Sequence, residues 1–549
     1  MPALTATYSC PDGTPFTVDW ADEEDSRYGW RWDQMHGPLP MPPLCAEMRD
    51  LPDGFNRTAD VTGSPAYVVW KYVHGYTFSR AVPFDDDTAV RAAVQRRDMM
   101  QRMDRMLELW HSEYRPEVEG ITRALRSFAD PGLSLHELVD GLEQVHALRR
   151  RQGELHHLVQ LPGEPAYTRL IDFCVAEYGA DGEQVAAELT QGLPNKSLES
   201  AAAMWELANE ARARPTVAAL LREQKPADVL RHLADTPEGA EFDALLLAFL
   251  HVYGHRNESF NDLSQPTWRE DPRFPLFILR RYLDMPAEAS PGAMHGRAAQ
   301  KREQRQRELE ARLATNPESL ATFRAWLPPA QARTILLEDH NFYIDQQGMV
   351  ASRIPCLAIG RHLVAQGTID AADDVFYLME EEIKAATVKP DMRLAPAVAE
   401  RRVERERWLR ILPPAVIGEG TVAMNDHAVR FFGPMGEEPR LEDGSISGVA
   451  ASPGVVRGTA RLVLSLDDVD RLAPGEILVT YATAPPWTPL FAVAAAIVTD
   501  AGGSLSHCAV VAREYGIPAV VGTRIATRSI PDGAIVTVDG GRGTVTIEA

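Results

Sequence analysis

The sequence predicts a multidomain protein in which a mainly α-helical body is followed by a small α/β domain. Three observations predict it. The chain has 549 residues, which at roughly 100–200 residues per domain gives about three domains. From about residue 87, Ala, Leu, Arg and Glu recur at helical spacing, as in AVRAAVQRRDMMQRMDRMLELWHSEY, and this texture continues to about 412. After Gly448 the pattern changes to short β-rich runs (VVRGTARLVL, EILVT, AAIVT, PAVVG, AIVTVDG, GTVTIEA) around a single helix, HCAVVAREY.

In chain order, residues 1–90 read as an irregular and β segment packed on the helical body. Tryptophans, glycines and prolines cluster in YGWRWDQMHGPLPMPPL, and AYVVWKYVHGYTF alternates as a strand or hairpin does. Residues 91–412 read as helical, broken by short turns such as LPGEP. Within them, 299–325 reads as one charged amphipathic helix with a solvated face. A second charged helix ends at Pro413 and Pro414. Residues 413–445 are rich in Gly, Pro and acidic side chains and read as a linker with little core of its own. Residues 446–549 form the α/β domain.

Composition excludes several classes. A formal net charge of −22 argues against a general nucleic-acid binder, which needs Lys and Arg to neutralise phosphates. Five scattered cysteines with no CxxC spacing argue against a disulfide framework or a zinc site, and fit a reducing cytoplasm. The first residues have neither the basic region nor the apolar core of a signal peptide, and no apolar stretch reaches membrane-spanning length. The expectation is a soluble, cytoplasmic protein with no membrane and no nucleic-acid partner.

The chemical centre is AAIVTDAGGSLSHCAVVAREYGIPAVVG, residues 495–522. It reads as strand, glycine turn, helix, turn, strand. Gly502 and Gly503 supply the turn, Ser504 or Ser506 caps the helix, His507 sits in its first turn, and Gly516 ends it. A helix start favours anions and disfavours a protonated imidazole, so a neutral histidine there is placed to receive a phosphoryl group. Free N–H groups and serine hydroxyls of the turn can bond the phosphate oxygens. The alternative is a polar cap without chemistry. Cys508 reads as buried packing.

GGSLSHCAVVAREYGIPAVVG closely resembles the swivelling phosphohistidine domain of the phosphoenolpyruvate-utilising enzymes, and the likeness extends weakly across 446–549. The resemblance makes His507 the phosphorylated histidine and places Gly502, Gly503, Ser504, Ser506 and Arg513 in the phosphate-binding motif. FLHVYGHRNESFNDLSQPTWREDP (249–272), GLPNKSLESAAAMWELA and GTIDAADDVFYLMEEEI resemble the helical acceptor-binding domain of rifampicin phosphotransferase and of phenol-phosphorylating proteins. No P-loop occurs, and no length is available for the ATP-grasp domain that fused relatives carry. The resemblance therefore implies the histidine-bearing subunit of a phenylphosphate-synthase-like pair. This chain alone would bind no cofactor; ATP and Mg²⁺ would sit on a separate ATP-grasp subunit, and the acceptor would be a small aromatic hydroxyl compound. An antibiotic phosphotransferase component of the rifamycin type and a bare phosphocarrier are the rival readings.

The acceptor must lose a proton, so a base is useful. His251, His255, Glu258 and Asp262 are spaced along one segment, with His251 and His255 on one face if that segment is helical; capping and turn formation is the competing role. No third ligand joins the two histidines, so no metal is expected. Arg256 and Arg269 could balance phosphate charge or pair with Glu258, Glu270 or Asp271; Arg353 and Arg361, eight residues apart, are candidate phosphate contacts if they face one side of a helix. Trp30, Trp32 and His36 either line an aromatic acceptor pocket or pack against the helical body.

Overall fold

The computed structural model describes residues 4–34, 37–48, 51–62, 64, 66–259, 261–422, 429–430, 432–433, 441 and 443–548. The chain divides into two compact units. The first comprises residues 1–162, 259–265 and 343–423, and the second residues 163–258, 266–342 and 424–549. The helical stretch expected over 91–412 is therefore shared between the two.

In the first unit, Leu4–Ser9 pairs antiparallel with Pro15–Trp20. A second antiparallel sheet runs in the order Ala66–Val73, Tyr76–Pro83, Trp30–Trp32, Val416–Ile417. The hairpin turn at its edge is made by His74 and Gly75, both at positive φ, 52° and 82°; glycine adopts that conformation without a Cβ penalty. Phe16 packs edge-on to Trp408 with ring centroids 5.4 Å apart, and the Tyr76 hydroxyl donates to the Trp408 carbonyl at 2.7 Å. These contacts fasten the strands to the end of the helix Ala395–Trp408. The N-terminal segment thus holds more regular strand than its Pro- and Gly-rich composition suggests. The expected linker is not free of core either: Ile417 is fully buried as a sheet partner of Trp30. Residues 423–428, 431, 434–440 and 442 of that stretch lie outside the described residues.

In the second unit, Glu164–Tyr178, Gly182–Thr190, Pro291–Leu313 and Pro317–His340 pack around Tyr167, Leu170, Cys174, Leu189, Leu309, Phe323 and Leu327. The single helix expected over 299–325 is two. The first ends at Leu313, Asn316 caps the second by accepting from Ser319 N–H at 3.2 Å, and Pro317 takes its first position. Proline is favoured there because its missing N–H has no intrahelical partner to lose. Charge patterning alone runs through such a break, since both helices are solvated on the same kind of face.

The α/β part carries an eight-stranded sheet. Its centre is parallel: Val455–Leu462, Ile477–Thr480, Ala496–Thr499 and Ala519–Val521. Antiparallel strands flank it on both sides. The central strands Ile477–Thr480, Ala496–Thr499 and Ala519–Val521 are buried along their whole length, which is why they read as continuous apolar runs. Among the described residues no helix is long and apolar enough to cross a membrane.

Phe323 has no exposed surface in the helical core. Phe323→Ala should cost about 3–5 kcal/mol through lost burial and the cavity left behind. A urea titration of the intact chain followed by far-UV circular dichroism should show the corresponding fall in midpoint.

Candidate functional site

The strand Ala496–Thr499 delivers the chain to the site. Its carboxyl end, like that of the parallel neighbour Ile477–Thr480, opens onto loops, the usual place for ligand chemistry in a parallel sheet. Asp500 pins the turn: buried, it accepts from the Thr523 hydroxyl at 2.9 Å and from the Thr527 hydroxyl. Gly502 follows at φ 109°, with the Ser506 hydroxyl 2.8 Å from where its Cβ would stand. A Cβ on Gly503 would run into the Arg430 carbonyl. Both glycines therefore have a steric reason to lack a side chain.

Ser506, rather than Ser504, caps the helix His507–Tyr515, its hydroxyl accepting from Ala509 N–H at 3.4 Å. Gly516 ends that helix in the left-handed conformation at φ 65°. Ser504 contributes its carbonyl to Arg513, which donates at 2.9 Å to it and to the Ala451 carbonyl. Arg513 is thus a strut beneath the loop. The loop's Leu505 N–H donates to Arg430 at 2.9 Å and its Gly502 N–H to Phe432 at 3.3 Å, so two of the turn's amides are already partnered by the chain. Cys508 is buried, and burial pushes its thiol up to about 12.

His507 is only 9% exposed. Its Nδ1 lies 3.2 Å from Oε1 of Glu338, near the end of the helix Pro317–His340. Its Nε2 lies 3.4 Å from the Thr488 hydroxyl, and Phe491 stands edge-on to the ring at 6.3 Å. Glu338 is itself buried, and its second oxygen accepts from the Ser197 hydroxyl. Burial alone would raise this carboxyl, but the charge of and hydrogen bond from His507, with the Ser197 bond, outweigh it and hold it below the usual range. A carboxylate only accepts hydrogen bonds. Nδ1 therefore carries a proton toward Glu338, and in the neutral ring Nε2 keeps its lone pair, within reach of the Thr488 hydroxyl.

The helix Lys196–Arg212 supports this carboxylate from behind. Asn195 caps it, Ser197 reaches Glu338, and the Lys196 N–H donates to Asp339 at 3.0 Å. The positive end of a helix favours negative charge there. Arg256 adds a cation: fully buried, it donates to the Ser200 hydroxyl at 2.9 Å. Burial draws its guanidinium down to about 10 against the opposing pull of Glu338.

Other expected site residues fall elsewhere. His251 is exposed on the helix Pro237–Tyr253. That helix ends at Tyr253 with Gly254 in the cap, so His255 lies beyond it and shares no helical face with His251; it meets Phe342 edge-on at 4.9 Å. Glu258 accepts from Leu466 N–H at 3.1 Å. Asp262 belongs to the first unit, buried against Arg405 at 2.7 Å. Arg353, also in the first unit, donates to the Leu263 carbonyl and to Asp373 at 2.7 and 2.9 Å. Trp30 and Trp32 are buried there too, Trp32 edge-on to Tyr76. His36 lies outside the described residues. The sequence reading missed Glu338, Ser197 and Thr488. Only the acidic pair in LLEDH, at the end of an otherwise apolar turn, was a signal for the first.

Burial raises the Asp339 carboxyl to about 6, with Lys196 opposing and Glu338 and Glu199 reinforcing. A raised carboxyl stabilises the fold below its unfolded value near 3.8 and loses that contribution as pH rises through about 6. The amount is roughly 3 kcal/mol at 1.36 kcal/mol per unit. The stability difference between wild type and Asp339→Asn, from urea midpoints at pH 4, 5, 6 and 7.5, should therefore move steadily in favour of the variant as pH rises.

Residues 164–336 match the rifampicin phosphotransferase fourth domain, and residues 472–543 match the mobile domain of PEP-utilising enzymes. The chain is 34% identical over 563 residues to chondramide synthase cmdD of Chondromyces crocatus, covering 98% of itself and 14% of that protein. It is 33% identical over 363 residues to the phosphotransferase YvkC of Bacillus subtilis, covering 66% of itself and 43% of the relative. With the rifampicin phosphotransferase of Streptomyces sviceus it shares 31% over 386 residues, 67% of itself and 42% of the relative. The chain spans less than half the length of each. Over residues 164–336 and 472–543 the chain is thus similar to the rifampicin phosphotransferases and to the mobile domain of PEP-utilising enzymes.

Proposed function

We propose that this chain is a phosphotransferase component that carries a phosphoryl group on Nε2 of His507 and passes it to an acceptor hydroxyl. The observation that carries this is the pairing of Nδ1 with the buried carboxylate of Glu338, which leaves Nε2 as the nucleophile at the start of a helix. In the first half-reaction Nε2 attacks phosphorus and the bond to the donor's leaving oxygen breaks. The ring gains positive character while Nδ1 keeps its proton, which Glu338 binds once the domain is on the acceptor side. In the second, an acceptor oxygen attacks, the N–P bond breaks, neutral imidazole leaves, and the hydroxyl proton is released. Such a transfer depends on in-line placement and charge stabilisation more than on covalent help. Thr488 is placed to donate to a phosphoryl oxygen on Nε2.

The donor in this reading is ATP with Mg²⁺ on a separate ATP-grasp subunit; one water takes the γ-phosphoryl, so that ATP ends as AMP and phosphate while the β-phosphoryl passes to His507. The α/β domain moves between that subunit and the acceptor, and its tether keeps the phosphohistidine at high effective concentration. The acceptor is a phenol or a similar aromatic hydroxyl. A rifamycin-type acceptor is the second reading, favoured by the relatives named rifampicin phosphotransferase. Buried as it is against Glu338, His507 stands in this reading on the acceptor side of the cycle.

Incubation with an ATP-grasp partner and ATP labelled at its β-phosphate should label the chain on His507. The label should leave as aryl phosphate when phenol is added. His507→Ala should abolish both steps, and aryl phosphate formed by that variant would refute the proposal. Glu338→Gln should keep the label site but slow transfer about ten- to a hundredfold, the loss of a charge-assisted hydrogen bond of about 1.5–3 kcal/mol. Rapid-quench timing of label loss measures it.

A further inference from the structure

In the first unit, the helix Leu142–Gln160 buries polar residues along a face where apolar ones are expected. Arg149, Gln152 and His156 lie along one side, at spacings of three and four. All are buried, Gln152 completely. They meet the segment Asn341–Met349 in turn. Arg149 Nη1 donates to the Met349 carbonyl at 3.0 Å. The Gln152 amide nitrogen lies against Gly348, where any Cβ would collide with it. His156 Nδ1 is 2.8 Å from a carboxylate oxygen of Asp345, buried in its turn.

Two further observations point to a ligand. Asn341–Met349 is wound as a π-helix, and a second π-helical stretch, Trp110–Tyr114, packs on the same helix. Trp110 stands edge-on to Tyr343 at 5.8 Å, joining the two. Such windings are rare and concentrate at functional sites. Moreover, neither polar atom of the Gln152 amide, nor the indole N–H of the fully buried Trp110, has a hydrogen-bond partner among the described residues. A buried amide with nothing to bond is costly, and a hydrocarbon of the same shape would be more stable there.

We infer that Gln152 is the anchor for the hydroxyl of a small neutral aromatic alcohol. Its carbonyl oxygen accepts the O–H and its N–H₂ donates to the same oxygen, a complement that a hydroxyl meets and a hydrocarbon does not. Trp110 and Tyr343, in edge-on contact on the two π-helical stretches, are the nearby aromatic rings of this packing, and His156 and Asp345 form its charged pair. The choice of an aromatic hydroxyl rests on the function proposed above; the presence of a site does not.

The test is calorimetric titration of phenol, with toluene as the control, into full-length His507→Ala protein, which cannot turn over. The same titrations follow in backgrounds that add Gln152→Leu, which removes the hydrogen bonds, or Gly348→Ala, whose Cβ displaces the amide. Phenol should bind the parent and lose at least tenfold in affinity in both variants, while toluene changes little. Gln152→Leu should melt no lower than the parent. Absence of phenol binding to the parent, or equal binding in all three proteins, would overturn the inference, as would a Gln152→Leu protein that melts several degrees lower. Failure here with His507 still labelled by ATP would remove this site and leave the phosphoryl carrier intact. Phenol binding that depends on Gln152, with no labelling of His507, would support the site and reject the carrier.

Discussion

The site is organised around one buried carboxylate. Glu338 sits where burial opposes ionisation, yet it stays charged because an imidazole and a serine hydroxyl bond it. The start of the helix Lys196–Arg212 lies behind it and the guanidinium of Arg256 close by. Taking the imidazole away would leave an unpaired buried charge, which is far more expensive than the pair itself is favourable. That asymmetry makes the contact between the α/β part and the helices conditional on the state of His507. In the proposed cycle a phosphoryl group on Nε2 would place two negative groups on either side of one imidazole, so only a ring that keeps its Nδ1 proton could remain bonded to Glu338.

The same contact is reinforced by interactions that do not involve His507. Leu505 enters the apolar core of the helices. The Tyr282 hydroxyl donates to the Pro489 carbonyl at 2.9 Å. Glu514 accepts from the Gly192 N–H at 2.7 Å, and burial raises its carboxyl, with His295 opposing. The position is thus held by packing as well as by charge.

What was legible in the sequence follows from distance along the chain. The strand, the two glycines, the serine cap, His507 and Gly516 are contiguous, and each has a local steric or capping reason that a reader can apply without a fold. The break at Asn316–Pro317 was equally local, but uniform charge on both sides masked the cap signal. Glu338, Ser197 and Thr488 reach His507 from three separate elements, and no local rule selects them among the carboxylates and hydroxyls of the chain. The histidine spacing at 251 and 255 misled because Gly254 ends the helix between them. Asp262 drew notice for lying on one segment with His251 and His255, and Arg353 for its spacing from Arg361; in the fold they are spent on Arg405, Leu263 and Asp373.

The decisive measurement is the proton position on His507. In protein labelled with ¹⁵N at histidine, ¹⁵N–¹H correlation spectra at pH 8 distinguish the two imidazole tautomers, and His507→Gln identifies the resonance. The account predicts that His507 holds its proton on Nδ1 with Nε2 bare, and that Glu338→Gln abolishes this preference. A His507 ring protonated on Nε2, or a Nδ1 tautomer unaffected by the loss of the Glu338 charge, would contradict it.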